Sequence, residues 1–403
     1  MILTEWLDEI PDDWACVPAW SLFSERADKA EPDAVHLTPS QAYGVLPQTE
    51  YMEITGSRVV LNLTGADKMK AVYEGDFISH LRSFQGGLEQ SSLRGKVSQA
   101  YTVLRPSPLV QSGYFRYLMK SRIFIEQLKN LTDQLRDGQT INYARFARMG
   151  LPLPPLESQR IIAQYLDHET YEIDAMLAKL ASLSESVSER RREIVRSLLK
   201  AVGQTVRLGL VVDVVSGSGF PDRFQGISDE ELPFYKVSSL SNVDRQVLTD
   251  SENTVSREIA DQLGARIIPS QSVVMAKIGA ALLLARYALT SRPSCIDNNM
   301  QALVPHQGVI VSRFLAYAME DVSISSLVKP GPVPSLDVMG MKMSRIAFSP
   351  SIKEQCRIAD HLDEVTGRID AMLATIDELK ALLVERRAAL ITDVVTGRKK
   401  VPA

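Results

Sequence analysis

The sequence predicts an α+β fold in which two mixed α/β domains are each followed by a long α-helix. Three observations predict it: a repeated helical segment, an amphipathic pattern in both copies, and short β-branched runs in the remaining regions. We expect the two helices to pair as an antiparallel coiled coil with pseudo-two-fold symmetry. The 403 residues then divide into domains at 1–150 and 204–345 and helical regions at 151–203 and 346–403.

Residues 154–191 and 350–387 form an internal repeat. The two segments align without a gap, and 17 of their 38 positions are identical. Their centres, Ile173–Ala178 and Ile369–Ala374, are the same six residues in the same order. Self-similarity at so long a period indicates two half-proteins of about 200 residues in tandem.

Both copies of the repeat have the apolar spacing of an amphipathic helix. Apolar residues recur every three or four positions, and the opposite face is charged. We predict a short helix and then a long one in each copy, at about 156–167 and 170–200 and at about 352–363 and 366–396.

Local signals mark the ends of these helices, and their apolar stripes need a partner. Ser351 and Glu354 fit a capping box, while Gly203 and Gly397 fit C-terminal caps. Packing of each helix onto its own domain is the alternative to pairing. In the paired arrangement, a first set of four residues faces a second set of four. The two sets are Ile173, Met176, Leu177 and Leu180, and Ile369, Met372, Leu373 and Ile376.

The regions before the two repeats predict mixed domains. Arg58–Leu63, Ala100–Leu104 and Gln271–Met275 are short runs typical of strands. Phe115–Lys129 and Ser312–Met319 predict helices. The two regions differ from each other far more than the helices do, which indicates a common scaffold that carries two different binding domains.

Composition is that of an ordinary globular protein, with 45% hydrophobic and 23% charged residues. No apolar run reaches the roughly 18–20 residues of a membrane span, and the three cysteines form no disulfide or metal pattern. We therefore expect a reduced, cytoplasmic compartment and no membrane. The net charge is −4, yet residues 54–150 carry +7 and residues 262–345 carry +4. Two interpretations explain these basic segments: they bind nucleic acid, or they are only charged faces exposed to solvent.

Motifs for catalysis are absent from the sequence. Gly95-Lys96 lacks the upstream glycine of a phosphate-binding loop, and Gly217–Gly219 lacks the third glycine of a dinucleotide fingerprint. The amino-methyltransferase signature is missing, and the five histidines show no metal-ligand spacing. We expect no catalytic residues, no metal and no cofactor in this chain; a solitary enzyme is the alternative.

The two helix leads resemble the specificity subunits of type I restriction-modification systems. The stretches are Leu151–Gln159 followed by Ile162-Ala163, and Phe348–Gln355 followed by Ile358-Ala359. The Ile-Asp centre and the Glu-Arg-Arg run are similar too, and Phe234–Ser238 resembles an early strand of that family's target-recognition domains. The order of domain, helix, domain, helix matches over essentially the whole chain.

This resemblance implies a DNA-recognition subunit. Such a subunit binds a bipartite, asymmetric site in double-stranded DNA through two target-recognition domains. It carries two modification (methyltransferase) subunits, which use S-adenosylmethionine, and restriction subunits, which use ATP, join them. The resemblance places these cofactors, and Mg²⁺, on the partner subunits. A coiled-coil scaffold that binds only proteins is the alternative, and the basic surplus and divergence of the two domains argue against it.

Polar and basic stretches in the two domains are candidates for DNA contacts, because amides and guanidinium groups read base edges and cations neutralise phosphates. Solvated loops are the alternative interpretation for every stretch. The candidates are Gln85, Gln90, Ser92, Arg94, Lys96, Arg136, Gln139, Asn142, Lys277, Asn298, Asn299, Gln301 and Lys329.

Overall fold

The chain divides into two units, each built around parts of both repeated segments. A computed structural model describes residues 7, 10–57, 69–80, 86–130, 141, 143–240, 247–329 and 331–402. The first unit contains Met1–Leu180 with Glu378–Ala403, and the second contains Ala181–Asp377. Both boundaries fall inside the repeated helices, so each helix contributes one half to each unit. We call the part of a unit outside these helices its head. The four functional segments expected from the sequence stay a prediction.

Short strands and helices make up the first head. The strands are β1 (Ala15–Pro18), β2 (Phe23–Glu25), β3 (Leu37–Ser40), β4 (Gly44–Pro47), β5 (Lys70–Val72), β6 (Phe77–Ser79), β7 (Leu88–Gln90), β8 (Gly95–Val97), β9 (Val103–Pro106) and β10 (Gly150–Leu153). The helices are α1 (Ala19–Leu22), α2 (Gln48–Thr55), α3 (Ser112–Leu118), α4 (Arg122–Asn130) and α5 (Tyr143–Phe146). The first long helix, α6 (Leu156–Ala201), follows.

The second head is built in the same manner. Its strands are β11 (Thr205–Arg207), β12 (Val212–Ser216), β13 (Leu232–Tyr235), β14 (Val247–Leu248), β15 (Thr254–Val255), β16 (Val273–Ala276), β17 (Tyr287–Thr290), β18 (Cys295–Ile296), β19 (Met300–Pro305), β20 (Val328–Lys329), β21 (Ser335–Leu336) and β22 (Arg345–Ala347). Its helices are α7 (Arg257–Gln262), α8 (Ala280–Leu283), α9 (Ser312–Glu320) and α10 (Val338–Met343), and the second long helix is α11 (Ile352–Val395).

The two heads share one strand order. In the first head β2, β9, β6 and β7 lie side by side in an antiparallel sheet. In the second head β12, β19, β16 and β17 follow the same order, and β14 adds a parallel strand beside β17. An antiparallel pair, β1 with β10 and β11 with β22, leads into the long helix in each case. The heads thus keep one four-strand order although their sequences differ, because strands as deeply buried as β6, β16 and β17 need apolar side chains more than particular residues.

Most elements expected in the heads are present with shifted ends. The helix expected at 115–129 is two helices, α3 and α4, and the one expected at 312–319 is confirmed as α9. The strands expected at 100–104 and 271–275 begin two or three residues later, as β9 and β16. The strand expected at 58–63 lies outside the described residues.

Each repeat forms one continuous helix, so the predicted break into a short and a long helix is wrong. α6 has 46 residues and α11 has 44. The residues where the breaks were expected include no proline, which leaves the backbone hydrogen bonding uninterrupted. At about 1.5 Å per residue, α6 is about 69 Å long. Both glycine caps are confirmed, since Gly203 and Gly397 have φ angles of 74° and 78°.

Within the first unit, the N-terminal half of α6 packs with the C-terminal half of α11. Ile173 shares a buried cluster with Leu383 and Leu390. Beside this cluster, Arg387 Nε donates to Asp174 Oδ1 at 3.0 Å. The pairing is therefore antiparallel.

The second unit contains the other halves of the same helices, paired in the same way. Val195 and Leu199 share a buried cluster with Ile358, and Arg191 Nε donates to Asp370 Oδ1 at 2.8 Å. The two ion pairs use equivalent positions of the repeat, with the donor and acceptor helices exchanged. The predicted antiparallel pairing is confirmed within each unit.

Two details of the predicted helix pairing are wrong. The Ile173 set does not face the Ile369 set, because antiparallel pairing joins Ile173 to the end of α11. Met176 and Met372 are 49% and 53% exposed, since they lie about 60° around the helix from Ile173 and Ile369, at the edge of the apolar stripe. Of the other predicted pairing residues, those that are buried or half-buried are Ile173, Leu177, Leu180, Ile369, Leu373 and Ile376.

Candidate nucleic-acid interface

One edge of the second head brings together three of the predicted segments. Half-buried Lys277 follows β16, and its N–H donates to the Asn299 carbonyl at 2.7 Å. The Lys277 carbonyl accepts from the Leu336 N–H at 2.9 Å, within the hairpin of β20 and β21 that carries Lys329. We call Lys277, Asp297–Asn299 and this hairpin the second-head edge.

Polar side chains at the second-head edge are open to solvent on a fixed backbone. Asn298 is exposed and Asn299 is half-buried. Asp297 Oδ1 accepts from the Asn299 N–H at 2.8 Å, which holds the turn. The Lys329 ammonium is exposed, 3.9 Å from Asp337 Oδ1. Amides and cations held in this manner can donate to base edges and to phosphates.

Gln301 does not belong to this edge, so its prediction as a DNA contact is wrong. Its side chain is fully buried because β19 lies between β12 and β16 in the sheet. Gln301 Oε1 accepts from Ser216 Oγ at 3.3 Å, while its Nε2 lacks a hydrogen-bond partner among the described residues.

The loop after β7 carries the predicted polar residues of the first head. Ser92 and Arg94 are exposed, and Gln90 is half-buried at the end of the strand. The Arg94 guanidinium donates to Glu31 at 3.0 Å and lies 5.1 Å from the centroid of the Tyr73 ring. An aromatic face and one carboxylate thus orient this cation at the surface.

Lys96 is not a surface cation, and its prediction as a phosphate contact is wrong. All three residues of β8 are buried, and the Lys96 ammonium donates to the Pro32 carbonyl at 2.6 Å. Four other predicted contacts lie outside the described residues. These are Gln85, Arg136, Gln139 and Asn142.

A buried glutamine joins each head to its long helix, a role that the sequence analysis missed. Gln159, in the first turn of α6, is fully buried. Its Oε1 accepts from the Gln111 N–H at 2.8 Å. Its Nε2 donates to the carbonyls of Leu109 at 3.1 Å and Pro154 at 2.8 Å.

Gln355 repeats this arrangement in the first turn of α11. It is fully buried, and its Oε1 accepts from the Val311 N–H at 2.7 Å. Its Nε2 donates to the carbonyls of Val309 at 2.9 Å and Ser349 at 2.7 Å. In both units the glutamine therefore binds the backbone just before a helix of the head.

A tyrosine at the other end of each of these head helices also contacts the long helix. In the first unit, Tyr117 of α3 donates to Asp167 Oδ1 at 2.7 Å and lies 3.1 Å from Thr170 Oγ1. Asp167 also accepts from Arg116. Burial raises the pKa of Tyr117, which keeps its hydroxyl protonated.

The second unit has the same tyrosine contact. Tyr317 of α9 donates to Asp363 Oδ1 at 2.7 Å, and its Oη is 2.9 Å from Thr366 Oγ1. A weak sequence signal could have revealed the pair. Serine, tyrosine and methionine recur with identical spacing in Ser112–Met119 and Ser312–Met319.

Two further features concern metals and membranes. No group of three or more His, Cys, Asp or Glu side chains in the described ranges could hold a metal ion. The helices of this part of the chain include none that is long and apolar enough to cross a membrane.

A solved structure has the same fold over nearly the whole chain. It is described as "Structural basis underlying complex assembly and conformational transition of the type I R-M system". It aligns with a TM-score of 0.68 and 15% identity, covering 97% of this chain and 100% of that one. At 15% identity this likeness concerns the fold alone.

Two curated proteins match the sequence. The type I restriction enzyme StySPI specificity subunit of Salmonella potsdam is 20% identical over 297 residues, 67% of this chain and 61% of that protein. The EcoKI specificity subunit of Escherichia coli (strain K12) is 30% identical over 95 residues, 23% of this chain and 20% of that protein. This chain resembles type I specificity subunits.

The resemblance drawn from the two helix leads is thereby confirmed. This chain spans about three fifths of the length of the StySPI specificity subunit and about a fifth of the EcoKI specificity subunit. No protein-family model matches it.

Proposed function

We propose that this chain is the DNA sequence-recognition subunit of a type I restriction-modification complex. One observation carries the proposal. Two heads with the same strand order are attached to repeated, antiparallel helices, and the two heads expose different polar side chains. The second head exposes Asn298 and Lys329, whereas the first exposes Ser92 and Arg94. Similar scaffolds with different polar surfaces suit a bipartite, asymmetric DNA site in which each head binds one half.

The symmetry of the helices suggests how the partners assemble. The repeated segments make equivalent antiparallel pairs in the two units, and two equivalent surfaces suit two copies of one modification subunit. Restriction subunits would join that assembly. In this proposal S-adenosylmethionine, ATP and Mg²⁺ bind to the partners, and this chain supplies recognition without catalysis.

A protein-binding scaffold without DNA specificity is the competing function, and adenine methylation in the host separates the two. Deletion of the gene for this chain should abolish methylation at one bipartite motif. Expression of the chain from a plasmid should restore that methylation. If methylation persists at every motif after the deletion, the recognition role is excluded.

Variants at the second-head edge sharpen this test. Asn298→Ala should relax the methylated sequence in one half-site and leave the other unchanged, with about 1–3 kcal/mol of discrimination lost if the amide makes a bidentate base contact. Glu252→Ala, at an exposed loop position of the same head, is the matched control and should change neither half-site.

A further inference from the structure

Each head contacts its long helix through hydrogen bonds as well as through apolar packing. Apolar side chains of the head helices, such as Phe115 and Phe314, already lie in the buried clusters that include α6 and α11. Apolar burial is non-directional, whereas hydrogen bonds depend on distance and angle. The glutamine and tyrosine bonds therefore add orientation to a contact that apolar packing stabilises.

We propose that these bonds are clamps that fix the direction in which each head faces the DNA. The first clamp consists of Gln159, Tyr117 and Asp167. The second consists of Gln355, Tyr317 and Asp363. The inference rests on the proposed function and assigns positioning residues, which act on DNA only through the heads they hold.

Each clamp holds its head helix at two points. The glutamine binds backbone groups immediately before the helix, and the tyrosine binds from the helix itself. Two hydrogen-bonded attachments restrict rotation of the head on the long helix more than a single attachment would. Both glutamines are fully buried, and breaking their bonds would leave buried amides unpaired, which is costly.

The clamps are alike although the heads differ in sequence. Gln159 and Gln355 each accept one backbone N–H and donate to two carbonyls, and Tyr117 and Tyr317 each join an aspartate and a threonine. Residues that read bases would differ between two half-sites. Residues that set the position of a head can be the same in both, as these are.

Loosening one clamp should change the distance at which half-sites are accepted, without changing the bases. The test uses host cells with the complete complex and plasmids that carry the two half-sites at the native spacing or at spacings one base pair shorter or longer. Gln355→Met removes all three hydrogen bonds of this side chain, and we expect the preference for the native spacing to fall by at least about fivefold. Gln159→Met should act likewise through the other head.

A purely structural role gives a different result. If the substitution only lowers the folded fraction, methylation falls by the same factor at every spacing and the preference is unchanged, which would overturn the inference. Tyr317→Phe removes one hydroxyl and serves if Gln355→Met does not fold. Met372→Ala, exposed on the same helix, is the control and should keep the native preference. Absence of methylation with the unaltered chain at every spacing would contradict the proposed function instead.

Discussion

At the scale of single residues, burial decides which cations can reach DNA. Arg94 and Lys96 are separated by one glycine, yet the Arg94 side chain is 65% exposed and Lys96 is 4% exposed. An ammonium that is directed at the Pro32 carbonyl cannot release counterions from a phosphate. Lys96 therefore stabilises the first head, whereas Arg94 is part of the surface of that head.

Substituting these two cations should separate stability from DNA binding. Lys96→Met should lower the free energy of unfolding by about 1–3 kcal/mol, because a charged hydrogen bond is lost and a carbonyl is left unpaired. It should leave the salt dependence of DNA binding unchanged. Arg94→Met should lower the salt slope by about one unit if Arg94 contacts a phosphate. Urea unfolding and salt titration measure the two effects, and a reduced slope for Lys96→Met would contradict this division.

The thiols differ for the same physical reason. Burial raises the pKa of Cys295 to about 11, so its thiolate at pH 8 is about a hundredfold scarcer than that of a thiol with a pKa of 9.0. A disulfide reagent at pH 8 should label half-buried Cys356 well before Cys295. Cys295 should react promptly only after unfolding in urea. Fast labelling of Cys295 in the folded chain would show that its surroundings are open.

At the scale of elements, α11 divides into a buried stripe and an exposed face. Ile376→Ala should lower the free energy of unfolding by about 2–5 kcal/mol, because it empties a buried site. Met372→Ala, one turn away and 53% exposed, should change it by no more than about 0.5 kcal/mol. Denaturant unfolding compares the two. Equal losses would mean that both residues lie in the pairing surface.

The same helices show which features a sequence can predict. Their apolar period is local, so the helices and their glycine caps were predictable. The residues that face each other were not, because antiparallel pairing joins Asp174 to Arg387 across a distance in sequence that no local pattern specifies. Asn298, selected for its polar side chain, lies exposed in a turn, and its contact with DNA stays a prediction. The burial of Lys96 and Gln301 depends on neighbouring strands that are remote in sequence, so it could not be predicted from local patterns.

At the scale of the whole molecule, the proposed function makes the helices a spacer between two readers. Seven residues added to both helices should lengthen each by about 10.5 Å, or about three base pairs of DNA rise. The Asp174–Arg387 ion pair defines the register of the two antiparallel helices. In this register, insertions after Leu180 and after Lys380 lie opposite each other. Methylated sites should then show a wider gap between unchanged half-sites.

Heptad length matters in this experiment because it keeps the apolar stripes facing each other. A five-residue insertion at the same two positions is the matched control, and it should destabilise the chain by turning the stripes apart. An unchanged gap in a folded, active heptad variant would mean that the partners, and not the helices, position the heads.

The discontinuity of the first unit has a consequence for the order of folding during synthesis. Tyr114 donates to the carbonyl of Val395, 281 residues later, and Glu378–Ala403 completes this unit. Residues 181–377, which form the whole second unit, are synthesised before Glu378–Ala403 and emerge from the ribosome ahead of them. Domains usually fold in the order in which they emerge. Here the unit that is begun first closes last, and the apolar residues that the C-terminal half of α11 covers stay accessible to chaperones until that half has emerged.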